Sequence, residues 1–172
     1  MKDHFFELAD ELGRRHEDGE VILASFSGEE SDFTRFSRSR VRQAGSVRQQ
    51  YLTIEVIVGR RHAKGTFALA GAGELDRSRL EVMLAELRRR LRALPEDPYL
   101  LYATEVHSSE KRGVSLLPNR AAVLADILAA GDGKDLVGIY AQGGIYAGFA
   151  NTLGQRNWFE TYSFHLDWTY YL

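Results

Sequence analysis

No cysteine occurs in the chain, which excludes disulfides, thiolate nucleophiles, iron–sulfur clusters and cysteine-ligated zinc together. The core alone must hold the fold. Proline is scarce, at three residues, and the sixteen glycines follow no fixed period. Neither a collagenous nor a low-complexity chain fits that composition. No apolar run approaches the roughly 18–20 residues that span a bilayer as a helix. The start, Met1-Lys2-Asp3-His4, leads into an acidic amphipathic stretch rather than a positive one followed by an apolar one, so no secretory signal is visible. These absences point to a cytoplasmic protein with no membrane partner.

What is present suits a folded protein. The chain has 172 residues, 44% hydrophobic and 27% charged, enough for one compact domain or two small subdomains. Its net charge of −2 hides a segregation. Residues 1–32 hold ten acids and three bases. Residues 33–94 hold five acids and fourteen bases, a net +9. Such a stretch could face nucleic acid or an acidic partner, or it could neutralise the flanking acidic segments in the folded state.

Periodicity orders the elements. Phe5, Leu8, Ala9 and Leu12 recur at helical spacing, with acids early and Arg14 and Arg15 late, predicting a helix over 3–17. A strand over 21–26 follows, then a turn at 28–31. Residues 33–43 read as a second strand carrying Arg38, Arg40 and Arg42 on one face, and 44–46 as a turn. Strands over 49–58 and 63–70 flank a tight connection at 59–62. Leu80, Leu84, Leu87, Leu91 and Leu94 mark a helix over 76–94 that Asp76 or Ser78 can cap and Pro95 ends. A short strand is expected over 99–106 and a polar loop over 107–113. A third helix opens at Pro118-Asn119 and ends at Gly131. Gly143-Gly144 then reads as a hairpin turn between strands 136–142 and 145–150. Residues 152–156 turn the chain into an alternating last strand, 158–172. The expectation is an α+β fold, a curved antiparallel sheet with helices packed on one side. Residues 1–115 form an N-terminal domain, and 116–172 a helix and strands leading toward a further domain. The helix–strand order echoes itself after residue 117, the pattern of an internal duplication. The chain also stops within an apolar strand, so that strand is central in a sheet or the sequence is part of a longer protein.

Chemistry-bearing motifs are few. His16-Glu17 opens an H-E-x-x-H pattern, but Glu20 stands where the second histidine belongs. His165 and Asp167 share a strand face and could reach one ion. A catalytic metal wants a third ligand, which His62 or His107 supplies only if the fold brings it there. A stand-alone enzyme using His165 and Asp167 is therefore a minor reading. There is no G-x-S-x-G elbow and no phosphate-binding loop; Gly71-Ala72-Gly73 is followed by Glu74. Glu29, Glu30 and Asp32 read as solvated turn acids. The arginine row is the most distinctive feature. Arg38, Arg40 and Arg42 could bind phosphates or peptide carboxylates, with Phe33, Phe36 and Tyr51 adding stacking surface, or simply guard a strand edge.

Three stretches carry a family likeness: Asp135-Leu136-Val137-Gly138-Ile139-Tyr140; Gly148-Phe149-Ala150-Asn151-Thr152-Leu153-Gly154-Gln155-Arg156-Asn157-Trp158; and Ser163-Phe164-His165-Leu166-Asp167-Trp168. Together with the helix and the segment Phe36-Ser37-Arg38-Ser39-Arg40-Val41-Arg42-Gln43, they resemble the TldD/PmbA family of bacterial peptidases, earlier described as modulators of DNA gyrase. The resemblance implies a chain twice as long or more, with zinc held by an H-E-x-x-x-H helix and a later cysteine in a C-terminal domain. This sequence has neither motif. The resemblance therefore implies an N-terminal, non-catalytic portion with no cofactor of its own. It would enclose unfolded or extended peptide and contribute contacts to a homo- or heterodimer. Arg38, Arg40, Arg42 and the turn residues Asn151 and Gly154 become candidate peptide or partner contacts. A nucleic-acid-binding module using the basic 33–94 segment is the alternative.

Overall fold

The computed structural model describes residues 1–171; Leu172, the last residue of the expected final strand, lies outside them. The described residues form an α+β fold, an open six-stranded mixed sheet with three helices. In chain order these are α1 (Lys2–Arg15), β1 (Glu20–Ser37), β2 (Arg40–Val58), β3 (Arg61–Ala68), α2 (Gly73–Leu91), β4 (Ser109–Lys111), α3 (Arg120–Ala130), β5 (Asp135–Asn151) and β6 (Arg156–Tyr171). The strand order is β3-β2-β1-β5-β6-β4. β2 and β3 are antiparallel, Tyr51 facing Ala68 and Val58 facing Arg61. The short β4 runs parallel to β6, which departs from the all-antiparallel expectation: a long excursion separates it from its partner, so no hairpin dictates its direction.

Two compact units are each assembled from three stretches. The first is 1–28, 49–112 and 146–159; the second is 29–48, 113–145 and 160–172. This interleaving differs from a sequential division near residue 115, and strand length is the cause. β1, β2, β5 and β6 run 16–19 residues, where strands are ordinarily about 5–6 long, and each contributes one part to either unit.

In the first unit, α1 buries Phe5, Leu8 and Leu12, and α2 buries Leu80, Leu84, Leu87 and Leu91. They share a core with Ile22, Ala24 and Phe26 of β1, Leu52, Ile54 and Val56 of β2, and Trp158. Helix period meets strand period as the leucine spacing and the 49–58 alternation predict. Gly65 lets α2 approach, since a Cβ there would collide with Met83 Sδ. In the second unit Phe36, Leu136 and Tyr140 pack with Ile127 of α3.

Several expected breaks are absent. β1 passes straight through 28–31 and β2 through 44–46. The turn lies between them at Arg38-Ser39, both with positive φ, 52° and 53°, the two-residue geometry that suits a twisted hairpin. Ser39 is held there: its one hydroxyl proton serves the Gly131 or the Lys134 carbonyl, which lie 2.7 and 2.6 Å from Oγ, and its oxygen accepts from the Leu136 amide. Arg38, Arg40 and Arg42 therefore do not share one strand face; Arg38 occupies the turn. Gly45 stays within the strand because the Phe33 ring covers it, 2.7 Å from where a Cβ would sit. β5 likewise runs unbroken through Gly143-Gly144. Gly143 is a contact glycine, since a Cβ would strike the Glu30 carbonyl and Ser31. Residues 99–106 form no strand, and Tyr99 and Leu101 are 89% and 92% exposed. Finally, α2 begins before either expected cap. Asp76 falls in its first turn, fully buried, accepting from the amides of Ala70 (2.7 Å) and Gly71 (2.9 Å) and paired with His4 Nε2 (2.8 Å).

Charges at the C-terminal end of α2 tie the first unit together. Arg88 binds Glu20 through Nε and Nη2 (2.8 and 2.7 Å) and Glu17 through Nη1 (3.1 Å). Burial opposes ionisation of Glu20, yet Arg88 and the Glu17 amide prevail and hold its carboxyl below the usual range. Hydrogen bonds from Arg89 and then Arg90 bring Glu86 down to about 2. Both carboxyls are depressed in the folded state, so their stabilisation is complete above about pH 4.5. It is lost as the pH falls toward about 2 for Glu86. The urea midpoint should therefore drop between pH 6 and pH 3, and Arg88→Ala should flatten that drop. A midpoint unchanged over this range would contradict the pairing.

Candidate functional site

Within the second unit, alternation turns Leu136 and Tyr140 of β5 toward α3 and Val137 and Ile139 away from it. The face away from α3 is open. Here Arg35 and Phe36 of β1, Arg42 and Gln43 of β2, Val137–Ile139 of β5 and Asp167–Thr169 of β6 line a groove of about 540 Å³. Gly138 keeps the strands close, because a Cβ would meet the Asp167 carbonyl at 2.5 Å. A smaller hollow of about 170 Å³ follows along β5, lined by Glu29 and Ser31, by residues 141–145, and by residues 163–165. From Val137 to Ile145 the strand rises about 26 Å at ~3.3 Å per residue.

The groove offers two guanidinium groups, an apolar floor and one carboxylate. Arg35 lies over the Phe33 ring, 5.9 Å from its centroid. Among the described residues, Arg42 has no acidic partner, nor do Arg38 and Arg40 at the adjacent turn. Elsewhere six arginines of the basic stretch are paired: Arg48 with Glu30, Arg61 with Glu96, Arg79 with Asp76, Arg88 with Glu17 and Glu20, and Arg89 and Arg90 with Glu86. These pairs neutralise part of the +9 stretch; among the described residues Arg60, Lys64, Arg77 and Arg92 of the first unit have no ion pair either, while Arg35, Arg38, Arg40 and Arg42 lie together at the β1–β2 hairpin. Two guanidiniums beside apolar walls can hold carboxylates or phosphates.

Of the sequence candidates, Arg42 lines the groove, and Arg38 and Arg40 stand exposed beside it. Arg35, Val137 and Ile139 were missed. Their signal was the shared face of Phe33 and Arg35, hidden by reading 33–43 as one strand, and the alternation of Leu136 with Val137. Asn151 and Gly154 lie in the first unit, in the β5–β6 turn. Asn151 Oδ1 accepts from the amides of Leu153 (3.1 Å) and Gln155 (2.9 Å), and Gly154 has φ 102°, a conformation that favours glycine. Their observed contacts build the turn. His165 lines the smaller hollow and Asp167 the larger. His62 sits in the first unit between Glu55 (2.6 Å) and Asp97 (3.4 Å), and His107 beside Glu105 (3.2 Å). His16 bonds the Gly13 carbonyl at its own helix end. Among the described residues, no three His, Cys, Asp or Glu side chains are grouped as metal ligands. No helix among them is long and apolar enough to cross a membrane.

No protein-family model and no curated protein sequence matches the chain. Solved structures do. One is a candidate modulator of DNA gyrase from Thermotoga maritima, 14% identical with a TM-score of 0.58, covering 96% of this chain and 39% of that one. TldE from Thermococcus kodakarensis is 12% identical with a TM-score of 0.60, covering 94% and 38%. A candidate modulator of DNA gyrase from Bacteroides thetaiotaomicron is 17% identical with a TM-score of 0.57, covering 97% and 39%. The likeness is one of fold, and the chain spans well under half the length of these proteins.

Proposed function

We propose that this chain is a non-catalytic portion of a TldD/PmbA-type protein, and that its second-unit groove is a wall against which unfolded or extended peptide lies. The observation that carries the reading is the open groove, lined by Arg35 and Arg42 and by the apolar Val137 and Ile139. The fold shared with TldE and with candidate gyrase modulators, over nearly all of this chain and under two fifths of theirs, supports the family. On this reading the zinc centre of peptidase members lies in polypeptide outside these residues, and this chain contributes enclosure and dimer contacts.

Fluorescence anisotropy of the whole chain with a labelled, reduced and carboxymethylated polypeptide tests the proposal. Binding is expected without cleavage, with or without added zinc, and Arg35→Ala with Arg42→Ala should weaken it at least tenfold, since each guanidinium–carboxylate contact is worth about 1.5–3 kcal/mol. Zinc-dependent cleavage by this chain alone, or binding indifferent to both arginines, would overturn it. The unpaired Arg38, Arg40 and Arg42 favour one second reading, a nucleic-acid contact. Salt-dependent binding of a DNA oligonucleotide, weakened by Arg38→Ala and Arg40→Ala while the polypeptide fails to bind, would put that reading in its place.

A further inference from the structure

β3 is the outer strand of the sheet on the side away from β4. The direction of its backbone groups follows from two bonds. The Leu69 amide donates to the Gln50 carbonyl (2.8 Å), toward β2, and Arg79 Nη1 donates to the Ala68 carbonyl (2.9 Å), away from β2. At a strand's period of two, Thr66 and Lys64 turn their amides and carbonyls outward with Ala68. Beside that edge runs a groove of about 700 Å³ in the first unit. Four consecutive strand residues, Gly65, Thr66, Phe67 and Ala68, form one wall, and α2 forms the other through Ser78, Arg79, Val82, Met83, Glu86 and Arg90. On the helix wall the apolar Val82 is 69% exposed.

The charges say what enters. Arg79 and Arg90 line the groove against Glu86, which Arg89 and Arg90 already share, while Arg79 has a loose 3.9 Å pairing with buried Asp76, so cations outnumber acids along the groove. We infer that this groove receives an extended, acidic segment of a partner polypeptide, added to β3 as a further strand. The outward groups of Lys64 and Thr66 supply the main-chain bonds, Val82 a contact for an apolar side chain, and Arg79 and Arg90 the pull on carboxylates. The site lies in a different unit from the Arg35–Arg42 groove and does not depend on it.

An eight-residue fluorescein-labelled peptide alternating glutamate and valine, titrated with the whole chain, tests the inference. It should bind at least tenfold more tightly than its lysine–valine counterpart. Thr66→Pro removes an outward amide from the edge, together with the Thr66 hydroxyl contact to Thr53 (2.8 Å), and should weaken binding tenfold or more. Val82→Glu, at an exposed helix position that leaves the core intact, should do the same even if the proline variant folds poorly. Arg35→Ala with Arg42→Ala should leave this binding unchanged, so failure here is distinguishable from failure of the groove reading. No binding, equal binding of the acidic and basic peptides, or wild-type binding by both edge variants would overturn it. So would a concentration-dependent dimer abolished by Thr66→Pro, which would assign the edge to a second copy.

Discussion

Replacing Trp158 with alanine should lower the unfolding free energy by about 3–5 kcal/mol, the usual cost of emptying a large aromatic site in a core. The indole is 3% exposed and sits among four rings: Phe26 at 5.5 Å, and Phe5, Phe6 and Tyr146 at 6.3 Å each between centroids. These rings come from α1, β1 and β5, so no single rotation could close the hole. Gly148 tightens the site further, since a Cβ there would lie 2.6 Å from the Phe5 ring and 3.2 Å from the indole. Urea unfolding followed by circular dichroism measures the loss without relying on the deleted fluorophore. A change under about 1 kcal/mol would mean that this aromatic group is not what anchors α1 to the sheet.

Asp76→Ala is the second large effect, expected at about 3 kcal/mol. The carboxylate is fully buried and accepts from the Ala70 and Gly71 amides while paired with His4. Removing it strands two backbone donors, each costing about 1–3 kcal/mol when buried without a partner. It also unties α1 from the loop that leads into α2. Asp76→Asn keeps one acceptor oxygen and should cost less. Hydrogen exchange at the Ala70 and Gly71 amides gives the site-specific readout, with protection falling sharply in Asp76→Ala. Unchanged protection would show that other groups hold that loop.

Much of the fold was legible because it rests on local pattern. The leucines of α2 recur on one helical face whatever surrounds them, and the alternation of Leu52, Ile54 and Val56 suits a strand with one buried side. Asn119 caps α3 as its position before an apolar run suggests, accepting from the Ala122 amide at 3.1 Å. The candidate site was half legible. Arg42 stood out by charge, but its neighbours were misassigned once the β1–β2 turn was placed at 44–46. That error has a physical source: a turn at Arg38-Ser39 uses positive φ without glycine or asparagine, and Ser39 tolerates it through bonds to residues more than ninety positions away.

By itself, then, the sequence determined the α+β class, the three helices and the apolar faces of α1 and of α2 as far as Leu91 (Leu94, expected on the same face, lies beyond the helix and is exposed), the β2–β3 hairpin, the absence of disulfide chemistry and the cationic surplus of the middle stretch. All of these follow from side-chain type and short-range period. Tertiary structure alone decided where strands continue, which cations remain unpaired, and that Arg35 and Arg42 meet an apolar floor. A glycine in a strand has the same local energetics whether the chain turns there or a neighbour presses close. Only the approach of Ser31 to Gly143, across more than a hundred residues, distinguishes the two. An arginine's charge is likewise the same in every setting, and the fold alone selects the carboxylate that cancels it.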